Sequence, residues 1–172
     1  LDLAYGVAVT SDGAVVVAER GAGRVLSLNG GQTTVLAKGL REPMGVAIAS
    51  DGACYVSEMG AGRVVKVTGA GVETVLDGLK QPQGLVSRAG TVYVVDAGDH
   101  AVIAYDVARK NRRTIASNLP VGAPPGVTPK PLRGTPPFSG PFGPFAGITA
   151  GGDGTLYVSA DTEGSVIALS PV

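Results

Sequence analysis

The 172-residue chain has no tryptophan, a single cysteine, a single histidine and only 5% aromatic residues. A lone cysteine, Cys54, excludes an internal disulfide framework and a cysteine-built zinc site. Cys54 and the lone histidine, His100, are too few to build a serine–histidine–acid or cysteine–histidine machine with any redundancy. Charged residues make up 16%, with 14 basic against 14 acidic, so the global basic footprint of a nucleic-acid binder is missing. No apolar run approaches the roughly 18 residues that a membrane-spanning helix needs. The opening Leu1-Asp2-Leu3 has neither a basic region nor an apolar leader, so a secretory signal is absent or already removed, and both ends read as cuts in a longer chain.

What the chain has in plenty is glycine, 27 residues, and a repeat built on it. Four segments align without gaps: Asp12–Val25, Asp51–Val64, Ala89–Val102 and Asp153–Val166. Each follows a glycine that opens an apolar run, Gly6, Gly45, Gly84 and Gly147, at steps of 39, 39 and 63 residues. Within each unit the signals are strand and turn. Asp12-Gly13, Asp51-Gly52 and Asp153-Gly154 are tight-turn pairs. Val15-Val16-Val17, Tyr55-Val56, Val92-Tyr93-Val94 and Leu156-Tyr157-Val158 are β-branched or aromatic runs. No stretch keeps a 3.6-residue apolar period over ten residues, so no helix is expected.

Counting the opening run, each unit holds four short strands in about 39 residues. Val15 to Ala18 is apolar at every position, the mark of a strand covered on both sides. A four-stranded sheet with two apolar faces cannot bury them alone. Radial stacking of such sheets solves the problem, which predicts an all-β chain and a β-propeller, with blades at about 1–40, 41–79, 80–119 and 144–172. A β-sandwich is the competing all-β solution, but sandwiches do not repeat their sequence at this period.

The unit resembles the NHL type of propeller repeat, through Pro43-Met44-Gly45-Val46-Ala47-Ile48 with Tyr55-Val56-Ser57-Glu58 and Arg63-Val64, and through Pro82-Gln83-Gly84 with Tyr93-Val94-Val95-Asp96. The resemblance extends to the six-bladed NHL and gluconolactonase-like propellers and covers most of the chain outside 120–143. It implies that four blades, the last lacking its outer strand, are part of a larger ring, with open end faces suited to self-association. It also implies a choice of function. One is a non-catalytic module that binds a protein or small ligand around a central channel. The other is a metal-dependent gluconolactonase-like hydrolase, or a lyase, with a divalent cation and a site completed outside this chain. Gluconolactonase-like propellers hold their metal just before the blade-opening glycines, which here are preceded by Tyr5, Met44, Gln83 and Ala146; only Gln83 offers a ready oxygen. Amidating-lyase propellers need several histidines.

Three acids share one register: Glu19, Glu58 and Asp96. They would hold a cation if they converged. Alternatively, each ties down its own turn by pairing five residues on, with Arg24 and Arg63 in the first two units. The stretch from Pro120 to Pro144 holds nine of the twelve prolines, and the three phenylalanines fall at Phe138, Phe142 and Phe145. Such a loop joins one blade's outer strand to the next inner strand, on the channel-mouth face, where the phenylalanines would form a lid or partner contact, or simply fold over the blades. Val107 to Gly152 contains no acid but carries Arg109, Lys110, Arg112, Arg113, Lys130 and Arg133. That asymmetry suits either an anionic ligand or a plain solvated hairpin. No stacking aromatics interleave with these charges, which argues against nucleic acid. High alanine, glycine and valine with few lysines suggest a bacterial source, and bacterial relatives of this kind are often exported to the periplasm or beyond.

Overall fold

A computed structural model describes residues 1–123, 127 and 144–170. Blade 1 consists of β1 (Ala4–Val9), β2 (Val15–Glu19), β3 (Arg24–Asn29) and β4 (Gln32–Lys38). Blade 2 consists of β5 (Pro43–Ile48), β6 (Cys54–Glu58), β7 (Arg63–Thr68) and β8 (Gly71–Leu76), with a 3₁₀ turn over Met59–Ala61. Blade 3 consists of β9 (Pro82–Arg88), β10 (Thr91–Asp96), β11 (Ala101–Asp106) and β12 (Asn111–Ala116). Blade 4 has β13 (Ile148–Ala150), β14 (Leu156–Ala160) and β15 (Ser165–Leu169). Every pairing is antiparallel between neighbours in sequence, giving three four-stranded sheets and one three-stranded sheet among the described residues. The four sheets are the blades of a β-propeller.

The apolar runs do what their pattern predicts, burying both faces of each inner blade. Side chains on a strand alternate between faces. In β6, Val56 lies in the core shared with blade 1, beside Val16, Ala18 and Val25. Its neighbour Tyr55 lies in the core shared with blade 3, beside Leu85, Val94 and Ile103. A third core, with Val95, Val102 and Val158, joins blades 3 and 4.

The inner strands set how closely the blades approach. A Cβ on Gly6 would sit 2.5 Å from the Met44 carbonyl oxygen, on Gly45 2.6 Å from that of Gln83, and on Gly84 2.6 Å from that of Ala146. Each blade-opening glycine therefore lets the next blade's backbone lie directly against it. Gly147, at the end of the series, meets nothing nearer than the Ser159 hydroxyl at 3.5 Å. Inner-strand packing runs β1–β5, β5–β9 and β9–β13, with no contact of comparable extent between β13 and β1 among the described residues. The outer faces at the two ends consequently remain open. Val166 is 69% exposed and Tyr157 40%, whereas their counterparts in blade 2, Val64 and Tyr55, are 0% and 4% exposed. On blade 1, Val7 and Val9 are likewise exposed.

The blade-opening glycines differ in a measurable way. Gly45→Ala forces a methyl group against the Gln83 backbone and should cost about 1–3 kcal/mol of stability, read as a lowered thermal midpoint. Gly147→Ala should leave the midpoint almost unchanged. Equal losses at both positions would show that a further surface covers Gly147.

Candidate functional site at the channel mouth

The register acids are spent on the fold. Glu19 and Glu58 are 1% and 0% exposed. One oxygen of Glu19 accepts from the Asp2 backbone N–H and the other from Arg24 Nε. Glu58 does the same with the Arg41 N–H at 2.6 Å and Arg63 Nε at 2.7 Å. Asp96 has no arginine and takes three backbone amides instead, those of Lys80 at 2.9 Å, Gln81 at 2.8 Å and Gly98 at 3.3 Å. In each case the carboxylate holds the segment that leads into its own blade's inner strand. Such donors replace the water that a buried carboxylate gives up.

Blade 4 has Ala160 in that register, and the next residue takes over: Asp161 Oδ1 accepts from the Gly122 N–H at 2.9 Å. Thr162 adds to the tie through the Gly122 carbonyl at 2.5 Å. The chain is thus pinned at Gly122, as at Arg41 and Lys80, at the end of the channel where the inner strands begin.

At that end the first and last blades meet through side chains. The rings of Tyr5 and Phe145 are tilted at 56° with centroids 5.9 Å apart. The Arg20 guanidinium lies 5.7 Å from the Tyr5 centroid on a cation–π contact and reaches Glu42 at 2.5 Å. Beneath the aromatic pair is an open cavity of about 210 Å³ walled by Gly6, Gly45, Gly84 and Gly147 with Val46 and Leu85. Its walls are the inner edges of β1, β5, β9 and β13, each an edge strand of its sheet. Backbone groups along these edges are engaged across the blades: the Gly45 and Gly147 N–H groups donate to the Ser57 and Ser159 hydroxyls and the Gly84 N–H to the Ala146 carbonyl.

Of the positions before the blade-opening glycines, Met44, Gln83 and Ala146 are buried. Gln83 Oε1 accepts from the Ala146 N–H at 2.6 Å, so its amide clamps blade 3 to blade 4. Ser57 makes a similar clamp, accepting from the Gly45 N–H at 2.8 Å and donating to the Gln83 carbonyl. This set does not fit a divalent cation: it has no carboxylate, and its one amide oxygen is already engaged. Among the described residues no three His, Cys, Asp or Glu side chains come together as a metal site.

The remaining candidates are scattered. Arg109 pairs with Asp106 at 2.7 Å, and Arg112 reaches the Asp77 and Gly78 carbonyls of blade 2. Arg113 lines a slot between blades 3 and 4 with Arg88. His100 lies 2.7 Å through Nδ1 from the Val121 carbonyl, and takes the left-handed turn position (φ 51°) filled by Gly23, Gly62 and Gly164 in the other blades. Cys54 is buried, which pushes its thiol up to about 11. Phe138, Phe142, Lys130 and Arg133 lie outside the described residues. Sequence reasoning missed Arg20, Ser57 and Asp161. Ser57 and Ser159 share a register that would have flagged the clamp, whereas Asp161 is displaced by one residue from the acidic register.

No family profile matches the chain, and no curated protein matches it either. Solved structures do. A virginiamycin B lyase from Staphylococcus aureus is 17% identical, with TM-score 0.65 over 98% of this chain and 55% of that one. A gluconolactonase from Xanthomonas campestris is 20% identical, with TM-score 0.67 over 98% of this chain and 62% of that one. A chain in a nidogen–laminin complex is 20% identical, with TM-score 0.67 over 98% of this chain and 76% of that one. The likeness is one of fold. The chain spans just over half the length of the lyase it matches.

The Arg24 hydrogen bond, set against the cost of burial, holds the Glu19 carboxyl below its ordinary value near 4.5. A carboxylate more acidic in the folded than in the unfolded chain stabilises at higher pH and loses that contribution as pH falls. Thermal midpoints should therefore decline as pH drops below about 4.5, with a smaller decline in Glu19→Gln. Glu58→Ala, which leaves Arg63 and the Arg41 amide without their acceptor, should cost about 2–3 kcal/mol at neutral pH. A neutral effect at Glu58 would contradict the structural role.

Proposed function

We propose that this chain is a non-catalytic binding section of a larger propeller ring, receiving a protein loop or small ligand at the channel mouth around Tyr5 and Phe145. The observation that carries the reading is the cavity itself: two aromatic rings above the inner strand edges, with no ionised group in its lining among the described residues. Aromatic faces over an apolar wall recognise an aromatic side chain, as on a partner's loop. The buried acids that would serve hydrolysis are instead tied to backbone and arginine. A chain in the nidogen–laminin complex has the same fold, which supports protein binding as a use for such a scaffold.

The second reading is a metal-dependent gluconolactonase-like hydrolase, or a lyase, whose site is completed by residues outside this chain. It is favoured by the fold shared with a gluconolactonase and a lyase, each longer than this chain.

Two measurements separate them. N-acetyl-tryptophanamide, used as the probe, should bind saturably with NMR shifts confined to the Tyr5, Gly45, Gly84 and Phe145 region, and Phe145→Ala should weaken it at least fivefold. Calcium, manganese and zinc should leave the thermal midpoint and gluconolactone hydrolysis unchanged. Metal-dependent lactone opening would overturn the binding reading.

A further inference from the structure

Blades 2 and 3 both lie inside the stack, so the gap between them is shaped by this chain alone. Directly opposed residues share a sheet face. In blade 2, Tyr55, Lys66 and Glu73 stand in one row across β6, β7 and β8, on the face that Tyr55 turns toward blade 3. The corresponding row of blade 1 is Val16, Ser27 and Thr34. Small side chains therefore satisfy the fold at these positions, and the charged ones of blade 2 need another reason. The facing wall is also particular to its blade. Two residues join the third strand to the fourth in blades 1 and 2, whereas four, Val107 to Lys110, join them in blade 3. That turn is braced: the Val107 N–H donates to the Gly90 carbonyl at 3.1 Å, and Asp106 accepts from the Arg109 N–H at 2.8 Å and its guanidinium at 2.7 Å. Val107 is thereby held against the core shared by blades 2 and 3.

Two open cavities occupy the gap, at the end of the blades away from the channel mouth. One, of about 260 Å³, lies between Lys66, Glu73 and Val75 of blade 2 and Tyr105, Val107 and Lys110 of blade 3. The other, of about 270 Å³, is lined by Ser50, Asp51 and Tyr55 with Ser87, Val107 and Ala108. They meet at Val107, which lines both. Tyr55 and Tyr105 are the telling groups. They are 4% and 9% exposed, and neither phenol has a hydrogen-bond partner among the described residues. Neither oxygen is sealed in, because the one enclosed side-chain polar atom left unpaired among these residues is Asp161 Oδ2. Both hydroxyls therefore open on the groove, where a buried phenol ordinarily finds a partner. Burial, with the charges of Asp51 and Glu73, pushes the Tyr55 phenol up and keeps it a donor. Lys66, Lys110 and Glu73 likewise have no ion pair or hydrogen bond among the described residues, although Lys66 stands opposite Glu73.

We propose that this groove binds a small hydroxyaryl carboxylate, its carboxylate between Lys66 and Lys110 and its ring hydroxyl beside Tyr55. The chemistry is complementary along the groove. The two ammonium groups, one from each blade, and the Tyr105 hydroxyl donate to the carboxylate. The ring crosses the apolar stretch formed by Val75 and Val107. At the inner end the ligand hydroxyl accepts from Tyr55 and donates to Asp51, through the oxygen not taken by the Ala53 N–H. Asp51 also sets the ligand's direction, since a carboxylate placed beside it would be repelled. Glu73, at the rim beside Lys66, opposes the ligand charge and holds the affinity down. The site lies apart from the channel mouth and does not rest on what binds there.

The probe is para-hydroxyphenylacetate, titrated into the full chain and followed by NMR. Saturable shifts are expected at the Ala49, Gly90, Val107 and Lys110 amides, with those of Gly45 and Gly84 at the channel mouth unmoved. Lys110→Ala, an exposed change that should leave the thermal midpoint intact, should weaken binding about fivefold, and Glu73→Gln should tighten it about twofold. Tyr55→Phe should weaken it about fivefold, and so should use of phenylacetate, which lacks the hydroxyl. Phenylacetate with Tyr55→Phe should lose little more than either change alone, a coupling that a merely structural tyrosine would not produce. Absence of saturable binding, equal affinity in Lys110→Ala and the unaltered chain, shifts at the channel mouth instead, or additive losses for Tyr55→Phe and the missing hydroxyl would each overturn the proposal.

Discussion

A sheet of four short strands with two apolar faces has no stable existence alone, and this constraint organises the whole molecule. Each inner blade finds cover only by lying face to face with two others. The faces meet across valine-rich layers, and at the axis the contact is backbone against backbone. Glycine is required there because the next blade's carbonyl occupies the space a side chain would take, as at Gly45 beneath Gln83. The hydrophobic contribution of such burial is roughly 25 cal/mol per Å² of apolar surface, so every blade added to the stack stabilises the one before it. The end blades, with Val7 and Val166 in solvent, are where that logic is incomplete.

Polar groups serve the same end. An inner strand must be delivered to the axis in register, and its leading segment is anchored by a carboxylate from the second strand of its own blade. Three chemistries supply this anchor. Glu19 and Glu58 work with an arginine, Asp96 works with three backbone amides, and the displaced Asp161 stands in for them in blade 4.

Much of this was legible in the sequence, because a repeated unit exposes its own rules. The five-residue step from Glu19 to Arg24 and from Glu58 to Arg63 offered ion pairs as one of two readings, and the Val15 to Ala18 run already marked a strand covered on both faces. What could not be read were contacts made across the ring. Tyr5 and Phe145 stand 140 positions apart, and no periodicity links them. The backbone partners of the acids were also hidden, since an amide leaves no trace in residue identity. Asp161 escaped notice because it anchors its blade from one residue out of register, with the chain turning through Asp161 and Thr162 to compensate. His100 stands where three other blades use glycine, and only its left-handed φ reveals the equivalence. The basic segment told of charge but not of place: Arg109 and Arg112 are engaged locally, while Arg113 opens on the slot between blades 3 and 4.

The central claim is that stability passes from blade to blade through shared cores, so that cover on both faces decides how firmly a strand is held. Amide hydrogen exchange of the intact chain, resolved by residue, measures this directly. The account predicts the greatest protection in β6 and β10, at the middle of the stack, and the least in β15 and along the outer face of blade 1. Equal protection in β15 and β7, or uniform exchange across all four blades, would contradict it.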